Sequence, residues 1–388
     1  MDEPFLLLNP GPVPVAPAVR EAMAAPMVSH RSADFEAVYE RARAGLAYVF
    51  EHSAPDGSRT SAGGETLLLN GTATMGMEAA VSNLLEPGDE VVALVNGKFG
   101  RRFARIADRY ADCTRVEADW GASFDLAAVR AAVDDDTALV TMVHNETSTG
   151  LLNPVGAVGE LAAEHDARFV VDGVTSIGGD AFRIDDWGVD VAVTDAQKAL
   201  AAPPGLSALY VADRAVDAVD GDRGPFYHDL EKHLAKAPQG QTPFTSAVPL
   251  FRAMAEAVEA IQEEGMPARI ERHRRFAAAF RAGFTAMGLD LFGEPTGPTA
   301  FSNTVTAVAL PGPVRNEPGG FFDAVADRNV SLSGGQAHLG GDIFRVSNMG
   351  ELDGDDIVRG VRTVGEALNA VGVSTPTDAG VEAARDEL

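Results

Sequence analysis

The sequence contains a single cysteine, Cys113, so no disulfide bond can form within the chain. Cys113 lies in residues 112–116, which are typical of the start of a short strand. Because most unpaired cysteines behave as small hydrophobic residues, we expect a buried structural thiol rather than a nucleophile.

Long apolar segments are missing as well. No apolar run reaches the roughly 18 to 20 residues that a membrane-spanning helix requires. The opening Met-Asp-Glu, residues 1–3, lacks the basic segment of a secretory signal. The sequence therefore predicts a cytoplasmic protein with no membrane partner.

Positive charge is scarce. Lysine and arginine total 31 against 57 aspartates and glutamates, which gives a formal net charge of −26, and only four of the basic residues are lysines. Such a surface repels phosphate backbones and anionic lipids, so a nucleic-acid partner is disfavoured. The same balance is typical of the acidic proteomes of salt-accumulating organisms, and we interpret it as a halophile signature.

The remaining pattern predicts an α/β fold. From residue 66 onwards, short apolar runs alternate with helical stretches, which is the signature of β-α-β units and a mostly parallel sheet with helices on both faces. The expected strands of this sheet cover residues 66–70, 90–95, 138–144, 168–171, 189–193 and 207–211. The glycine fingerprint of dinucleotide-binding proteins, Gly-x-Gly-x-x-Gly, is absent.

A length of 388 residues with 46% hydrophobic content suggests two domains. We expect an N-terminal arm over residues 1–16 and a large domain over 17–250. A smaller C-terminal α+β domain is expected over 251–372. The acidic tail, 373–388, is expected to fray.

Lys198 follows the predicted strand 189–193 and lies between apolar segments of a lysine-poor chain. Burial lowers the pKa of a lysine and leaves a neutral amine that can attack a carbonyl, which a Schiff-base lysine requires. A solvated loop lysine is the alternative when this segment is considered alone.

Asp172 follows the predicted strand 168–171, at the end where parallel sheets bind their ligands. A buried carboxylate there needs a cationic partner. A metal ion is the weaker candidate, because no histidine or second carboxylate lies beside it at ligand spacing. An aspartate that caps the following turn is the alternative.

Three more segments follow predicted strands. Gly71-Thr72-Ala73-Thr74 lies between a strand and a helix, where backbone N–H groups and hydroxyls bind phosphate, although a simple helix cap is the alternative. Phe99 either covers a bound ring or belongs to the core. Residues 144–150 add polar groups. With Asp172 and Lys198, all these segments fall at successive carboxyl ends of one predicted sheet.

The sequence as a whole resembles the class V aminotransferases, which are fold-type I enzymes that use pyridoxal 5′-phosphate (PLP). Within this family the alanine–glyoxylate and serine–pyruvate aminotransferases are the most similar group. The resemblance covers residues 5–370 and is carried by Asn9-Pro10-Gly11-Pro12, Gly71-Thr72-Ala73-Thr74, Glu86-Pro87-Gly88-Asp89, Glu146-Thr147-Ser148-Thr149-Gly150, Val171-Asp172-Gly173-Val174, Gln197-Lys198-Ala199-Leu200 and Phe344-Arg345-Val346.

The resemblance implies a role for each matching residue. Lys198 and Asp172 become the catalytic residues, the first as the Schiff-base lysine and the second as the partner of the pyridine nitrogen. Other cofactor-binding residues are Thr72, Ala73 and Thr74 at the phosphate, Phe99 and Val174 on the ring faces, Thr147 beside the ring hydroxyl, Gln197, and Thr245 reaching a neighbouring subunit's phosphate. Arg345 and Asn9 are expected to bind the substrate. Phe99 stands where relatives have a tryptophan.

The function that the resemblance implies is ping-pong transfer of an amino group from alanine or serine to glyoxylate or pyruvate, in a homodimer. An aminotransferase with another donor and acceptor, of the aspartate or phosphonate type, is the alternative. A cysteine desulfurase needs a reactive cysteine late in the chain, and Cys113 lies too early. A dehydrogenase is disfavoured by the missing glycine fingerprint.

If the acidic surface is an adaptation to salt, the melting temperature should rise as KCl is added. The reason is that added salt screens the repulsion between surface carboxylates, since the Debye length falls to about 3 Å at 1 M. A thermal melt at increasing KCl concentrations measures this. A melting temperature that does not rise with salt would contradict the halophile interpretation.

Overall fold

Helices and strands alternate along most of the chain. The computed structural model describes residues 4–61, 63–221, 224–315 and 317–388, so residues 1–3 of the expected N-terminal arm lie outside the described part. The helices are α1 (Pro17–Met23), α2 (Ala33–His52), α3 (Ala73–Leu84), α4 (Lys98–Ala107), α5 (Leu126–Ala132), α6 (Val155–Glu164), α7 (Asp213–Val216), α8 (Leu230–Lys236), α9 (Val248–Glu264), α10 (Met266–Ala286), α11 (Gly319–Ala326), α12 (Gly354–Ala370) and α13 (Thr377–Asp386). The strands are β1 (Leu6–Leu7), β2 (Glu65–Asn70), β3 (Glu90–Val95), β4 (Asp112–Glu117), β5 (Thr137–Val143), β6 (Asn145–Glu146), β7 (Leu151–Leu152), β8 (Arg168–Asp172), β9 (Val191–Asp195), β10 (Leu206–Val211), β11 (Ala300–Phe301), β12 (Val305–Ala309), β13 (Val330–Ser331), β14 (Ser333–Gly334) and β15 (Ile343–Ser347).

A seven-stranded sheet forms the centre of the large core, in the order β2-β10-β9-β8-β5-β3-β4. All of its strands run parallel except β10, which is antiparallel to both β2 and β9. The central strands β8 and β9 are buried along almost their whole length, which is why they appear as continuous apolar runs rather than alternating ones. The expected α/β class with a mostly parallel sheet is confirmed.

The described residues contain a second hydrophobic core around the antiparallel sheet β12-β15-β14. Phe280, Phe284 and Phe344 pack at its centre. Phe280 and Phe284 are stacked, and Phe284 is perpendicular to Phe344 at 5.5 Å between ring centroids. The first core, in contrast, includes residues of α9 such as Phe251 and extends to Ile270 in α10. Helix α9, which the sequence assigns to the small domain, therefore belongs to the large core, and we propose that the domain boundary lies within α10.

The C-terminal segment differs from its expectation. The sequence predicts a frayed tail over residues 373–388, but the structure has helix α13 there, with Val381 and Ala384 buried in the second core. Gly283 on α10 and Gly380 on α13 lie against each other, and a side chain on either would approach the other's backbone oxygen to 3.0 Å or less. Two glycines thus allow these helices to pack closely despite the polar composition of the tail.

Two groups outside the central strands bear on function. Arg269, buried in α10, donates to the backbone oxygens of Gly178 and Ala199, each at 2.6 Å, and so fixes the loop that follows β9.

Cys113, on the edge strand β4, is partly buried, and burial raises the pKa of its thiol to about 11. A thiol of this kind stays protonated near neutral pH and is a poor nucleophile. In the described part of the chain, no helix has the length and apolar character needed to cross a bilayer.

Candidate active site

The carboxyl ends of five strands, β2, β3, β5, β8 and β9, meet around one cavity of about 150 Å³. Parallel strands end at the same edge of a sheet, so the loops that follow them converge. Nine of the residues that the sequence assigns to the cofactor lie in its wall. The lining residues are Thr72, Ala73, Thr74, Met77, Phe99, Arg102, Thr147, Asp172, Val174, Thr175, Asp195, Gln197 and Lys198.

The Lys198 side chain lies in this cavity just after β9. Burial lowers the pKa of its amine to about 8, and the nearby Arg345 guanidinium acts in the same direction. Its Nζ donates a short hydrogen bond to the backbone oxygen of Pro10 in the N-terminal arm. Gly11 has a φ of +139°, and a Cβ there would lie 2.8 Å from Lys198 Cε, so the arm approaches the amine this closely only with glycine.

Asp172 is the last residue of β8 and lies in the wall of the cavity. Burial raises the pKa of its carboxyl to about 7, and the cation Lys198 acts in the opposite direction. One carboxylate oxygen, Oδ1, accepts a hydrogen bond from Val174 N at 2.9 Å. Among the described residues the other oxygen has no hydrogen-bond partner, so it is available to a cationic donor in the cavity. Nor does the described part of the chain bring three His, Cys, Asp or Glu side chains together as a metal site.

The phosphate segment, residues 71–74, opens onto the cavity where α3 begins. Thr72 is the N-cap residue, yet its side chain makes no capping hydrogen bond. Instead the buried carboxylate of Asp195 accepts from Ala73 N at 2.7 Å. Gln197, also assigned to the cofactor, donates to the same Asp195 oxygen at 2.7 Å. Among the described residues the Thr72 hydroxyl makes no hydrogen bond, whereas Ala73, predicted at the phosphate, and Gln197, predicted elsewhere at the cofactor, both contact a carboxylate.

Phe99 is held in the cavity wall by the first turn of α4. Glu146, fully buried, accepts hydrogen bonds from Phe99 N at 3.0 Å and Gly100 N at 3.1 Å. Burial raises the pKa of the Glu146 carboxyl, although four hydrogen bonds to it act against that shift. Arg102 lies over the Phe99 ring at 4.8 Å and donates to the Thr74 hydroxyl at 2.7 Å.

Arg345 and Asn9 lie beside the cavity rather than in its wall. Arg345, buried on β15, donates to the backbone oxygen of Thr147 at 2.9 Å and makes two further bonds to that of Gly334. Burial lowers the pKa of its guanidinium to about 10, so it remains charged at neutral pH. Asn9 donates to Ser333 Oγ at 2.8 Å, and its buried Oδ1 has no partner in the described residues. Strand β14 thus brings the two predicted substrate residues together.

Thr245 is the predicted cofactor residue that the structure does not bring to the cavity of its own chain. It is exposed, and its backbone oxygen accepts from Asn70 Nδ2 at 3.2 Å. Thr147, by contrast, is in place, and its hydroxyl lies 2.6 Å from that of Thr175.

Five residues of the site are absent from the sequence-based prediction: Met77, Arg102, Thr175 and Asp195 in the cavity wall, and Glu146 behind Phe99. Glu146 lies in the segment 146–150 and Asp195 lies between the predicted strand 189–193 and Gln197, but neither has a local signal that distinguishes it from a solvated carboxylate. Arg102 lies one helical turn after Phe99, and this spacing is its only signal.

Comparison with known proteins gives consistent matches. The family model "Aminotransferase class-V" matches residues 18–306. An uncharacterized aminotransferase of Methanocaldococcus jannaschii is 37% identical over 99% of this chain and 97% of its own length. A serine–glyoxylate aminotransferase of Methylorubrum extorquens is 31% identical over 98% of this chain and 95% of its own length. The solved structure of ureidoglycine–glyoxylate aminotransferase from Bacillus subtilis is similar with a TM-score of 0.90 at 29% identity, covering 100% of this chain and 98% of that one.

The lowered pKa of Lys198 predicts an early onset of amine reactivity. Only the neutral amine reacts, and its fraction rises with pH through the pKa, so methylation of Lys198 by formaldehyde and cyanoborohydride should reach half its maximal rate near pH 8. An ordinary lysine does so near about pH 10.4. Mass spectrometry of peptides labelled at a series of pH values measures the midpoint, with free Nα-acetyl-lysine in the same reactions as the internal control. A Lys198 midpoint equal to that of the free lysine derivative would contradict its desolvation.

Proposed function

Since this chain belongs to the class-V aminotransferase family, we propose that it transfers the amino group of a small L-amino acid, alanine or serine, to glyoxylate or pyruvate with PLP as cofactor. The observation that carries the proposal is the pairing of a desolvated lysine with a desolvated carboxylate in one cavity, Lys198 with Asp172. A ping-pong order follows, because one cavity serves donor and acceptor in turn.

The residues present fit PLP. Lys198 supplies an amine for covalent attachment, and the free Asp172 oxygen suits a protonated pyridine nitrogen, because a buried carboxylate gains most from a cationic partner. Phe99 and Val174 would cover the two ring faces. The ring hydroxyl would lie by Thr147. Thr72, Ala73, Thr74 and Gln197 would hold the phosphate at the start of α3.

When bound, PLP supplies an electron sink for the substrate's α-carbon. Lys198 Nζ, set free when the amine of the substrate replaces it on the cofactor, would be the base that takes the proton from this carbon. Its pKa of about 8 suits the task, because a general base works best when its pKa lies near the working pH. The backbone oxygen of Pro10 can hold the resulting ammonium in place.

Arg345 is proposed to orient the substrate through its carboxylate. A guanidinium fork matches a carboxylate in two parallel hydrogen bonds, and Arg345 has N–H groups beyond those already used on backbone oxygens. Asn9 Oδ1, buried and without a partner among the described residues, offers an acceptor close by. The two would fix one end of the substrate while Lys198 acts on the α-carbon.

The acceptor is inferred from the relatives, since the serine–glyoxylate and ureidoglycine–glyoxylate aminotransferases both name glyoxylate while their donors differ. An aspartate- or phosphonate-type donor remains the second candidate. A cysteine desulfurase reaction is disfavoured, because Cys113 lies on the edge strand β4 and does not line the cavity.

We also propose that the protein is a homodimer in a salt-rich cytoplasm. Thr245 is exposed beside Phe244, which packs against the exposed rings of Phe226 and Tyr227. These rings are 76% and 49% exposed, and exposed aromatic clusters are typical of protein interfaces. Such an interface would bring Thr245 to the neighbouring subunit's phosphate. The net charge of −26 supports the salt-rich surroundings.

The visible spectrum tests the cofactor and both half-reactions. The PLP-loaded enzyme should absorb in the visible range because Lys198 holds the cofactor covalently. L-alanine should bleach this band and glyoxylate should restore it. Lys198→Ala, which lacks the attaching amine, is the control and should lack the band. No band after addition of PLP would reject the cofactor assignment, and a band indifferent to alanine and serine would reject these donors.

Subunit mixing tests the placement of Thr245. Thr245→Glu should abolish activity by placing a negative charge against a phosphate, and Lys198→Ala should be inactive alone. Dissociated and reassociated at equal amounts, the two variants should recover about a quarter of wild-type activity, because half the dimers are mixed and each has one intact site. Thr285→Glu, at an exposed position on α10, should stay active as the matched control. No recovery on mixing would show that Thr245 acts within its own subunit or not at all.

A further inference from the structure

Asp195 places a negative charge at the start of α3, where the proposed function places a phosphate. The side chain is 1% exposed, at the end of β9. Its Oδ2 accepts from Ala73 N and Gln197 Nε2, both at 2.7 Å, and its Oδ1 accepts from Ala196 N at 3.0 Å. Two of the four residues assigned to the phosphate thus contact this carboxylate already.

The carboxylate serves as the N-terminal cap of α3. Thr72 occupies the N-cap position but makes no capping bond, so Asp195 satisfies one of the first backbone N–H groups from a neighbouring strand. A negative charge is favourable at a helix start. Asp195 therefore stabilises residues 71–74, and in the described part of the chain the Thr72 hydroxyl makes no hydrogen bond.

A phosphate at the same helix start changes this balance. Both groups are anionic, both are best served by the same N–H donors, and no basic side chain of the described residues forms an ion pair with Asp195. The cations that line the cavity are Lys198 and Arg102, and Arg102 donates to Thr74 rather than to Asp195. Covalent attachment of the cofactor to Lys198 would remove neither the repulsion between the carboxylate and the phosphate nor their competition for the same N–H donors.

We propose that Asp195 is an internal competitor of the cofactor phosphate: it caps α3 in the empty enzyme and lowers the affinity of the enzyme for phosphorylated cofactor. The proposal rests on the proposed placement of the phosphate at residues 71–74. Its effect falls mainly on the aminated cofactor, pyridoxamine 5′-phosphate, because that form is held only by non-covalent contacts. Asp195 would not touch the reacting atoms. It is a positioning residue, because it holds the N–H groups of Ala73 and Gln197 that the phosphate would otherwise use.

Binding of pyridoxamine 5′-phosphate and of pyridoxamine to the apoenzyme tests the proposal. Asp195→Asn keeps a side-chain oxygen for Ala73 N and removes the charge, and asparagine caps a helix as well as aspartate does. The Kd for pyridoxamine 5′-phosphate should fall on the order of tenfold, since a like charge is removed at a buried site. The Kd for pyridoxamine, which lacks the phosphate, should not change. Asp112→Asn, the same change at an exposed position on β4, should leave both values unaltered.

The outcomes separate this inference from the proposed function. Thr72→Ala should weaken binding of the phosphorylated ligand alone; if it leaves the ratio of the two Kd values unchanged, the phosphate placement itself is wrong. If Thr72→Ala behaves as expected but Asp195→Asn leaves the ratio unchanged, Asp195 is only a cap. A looser phosphorylated ligand in Asp195→Asn would make Asp195 a helper that orients Gln197. Should Asp195→Asn fail to fold, Asp195→Ser supplies a shorter uncharged cap with the same expected tightening.

Discussion

Desolvation at the carboxyl edge of the central sheet is the condition on which the chemistry depends. In water an aspartate and a lysine hold their protons with pKa values more than six units apart, about 3.9 and 10.4. In the cavity, burial brings Asp172 to about 7 and Lys198 to about 8. Burial thus reduces the gap between the two pKa values from more than six units to about one.

The surrounding protein maintains this condition with backbone groups more than with charges. Arg269 binds two carbonyl oxygens on the loops around Lys198, and Arg345 binds those of Thr147 and Gly334. Glu146 takes up the first N–H groups of α4 in the same way. Arg269, Arg345 and Glu146 are thus hydrogen-bonded to backbone groups, and these bonds hold the loops around the cavity in position.

The sequence was enough to locate the parts of the site that depend on strand ends. Lys198, Asp172 and the phosphate segment each follow an apolar run, and parallel strands bring such positions to one edge whatever lies between them. Asp195 and Glu146 were beyond reach, because their partners Ala73 and Phe99 lie 122 and 47 residues away and only the folded chain reveals the contact. The antiparallel orientation of β10 could not be predicted either, because an apolar run does not indicate which way a strand runs relative to its neighbours. Helix α13 escaped prediction because its packing depends on two small residues, Gly283 and Gly380, rather than on an apolar stripe.

The N-terminal arm crosses from one core to the other. Leu6 and Leu8 are buried in the second core, Val15 packs against the first core, and the Pro10 oxygen between them accepts the hydrogen bond from the Lys198 amine. The position of the Pro10 oxygen, and with it that of the Lys198 amine, therefore depends on the packing of both cores. Lys198 is therefore held in two ways: by the loop that follows β9, and by the N-terminal arm, which is anchored in the second core beside the strand that carries Arg345.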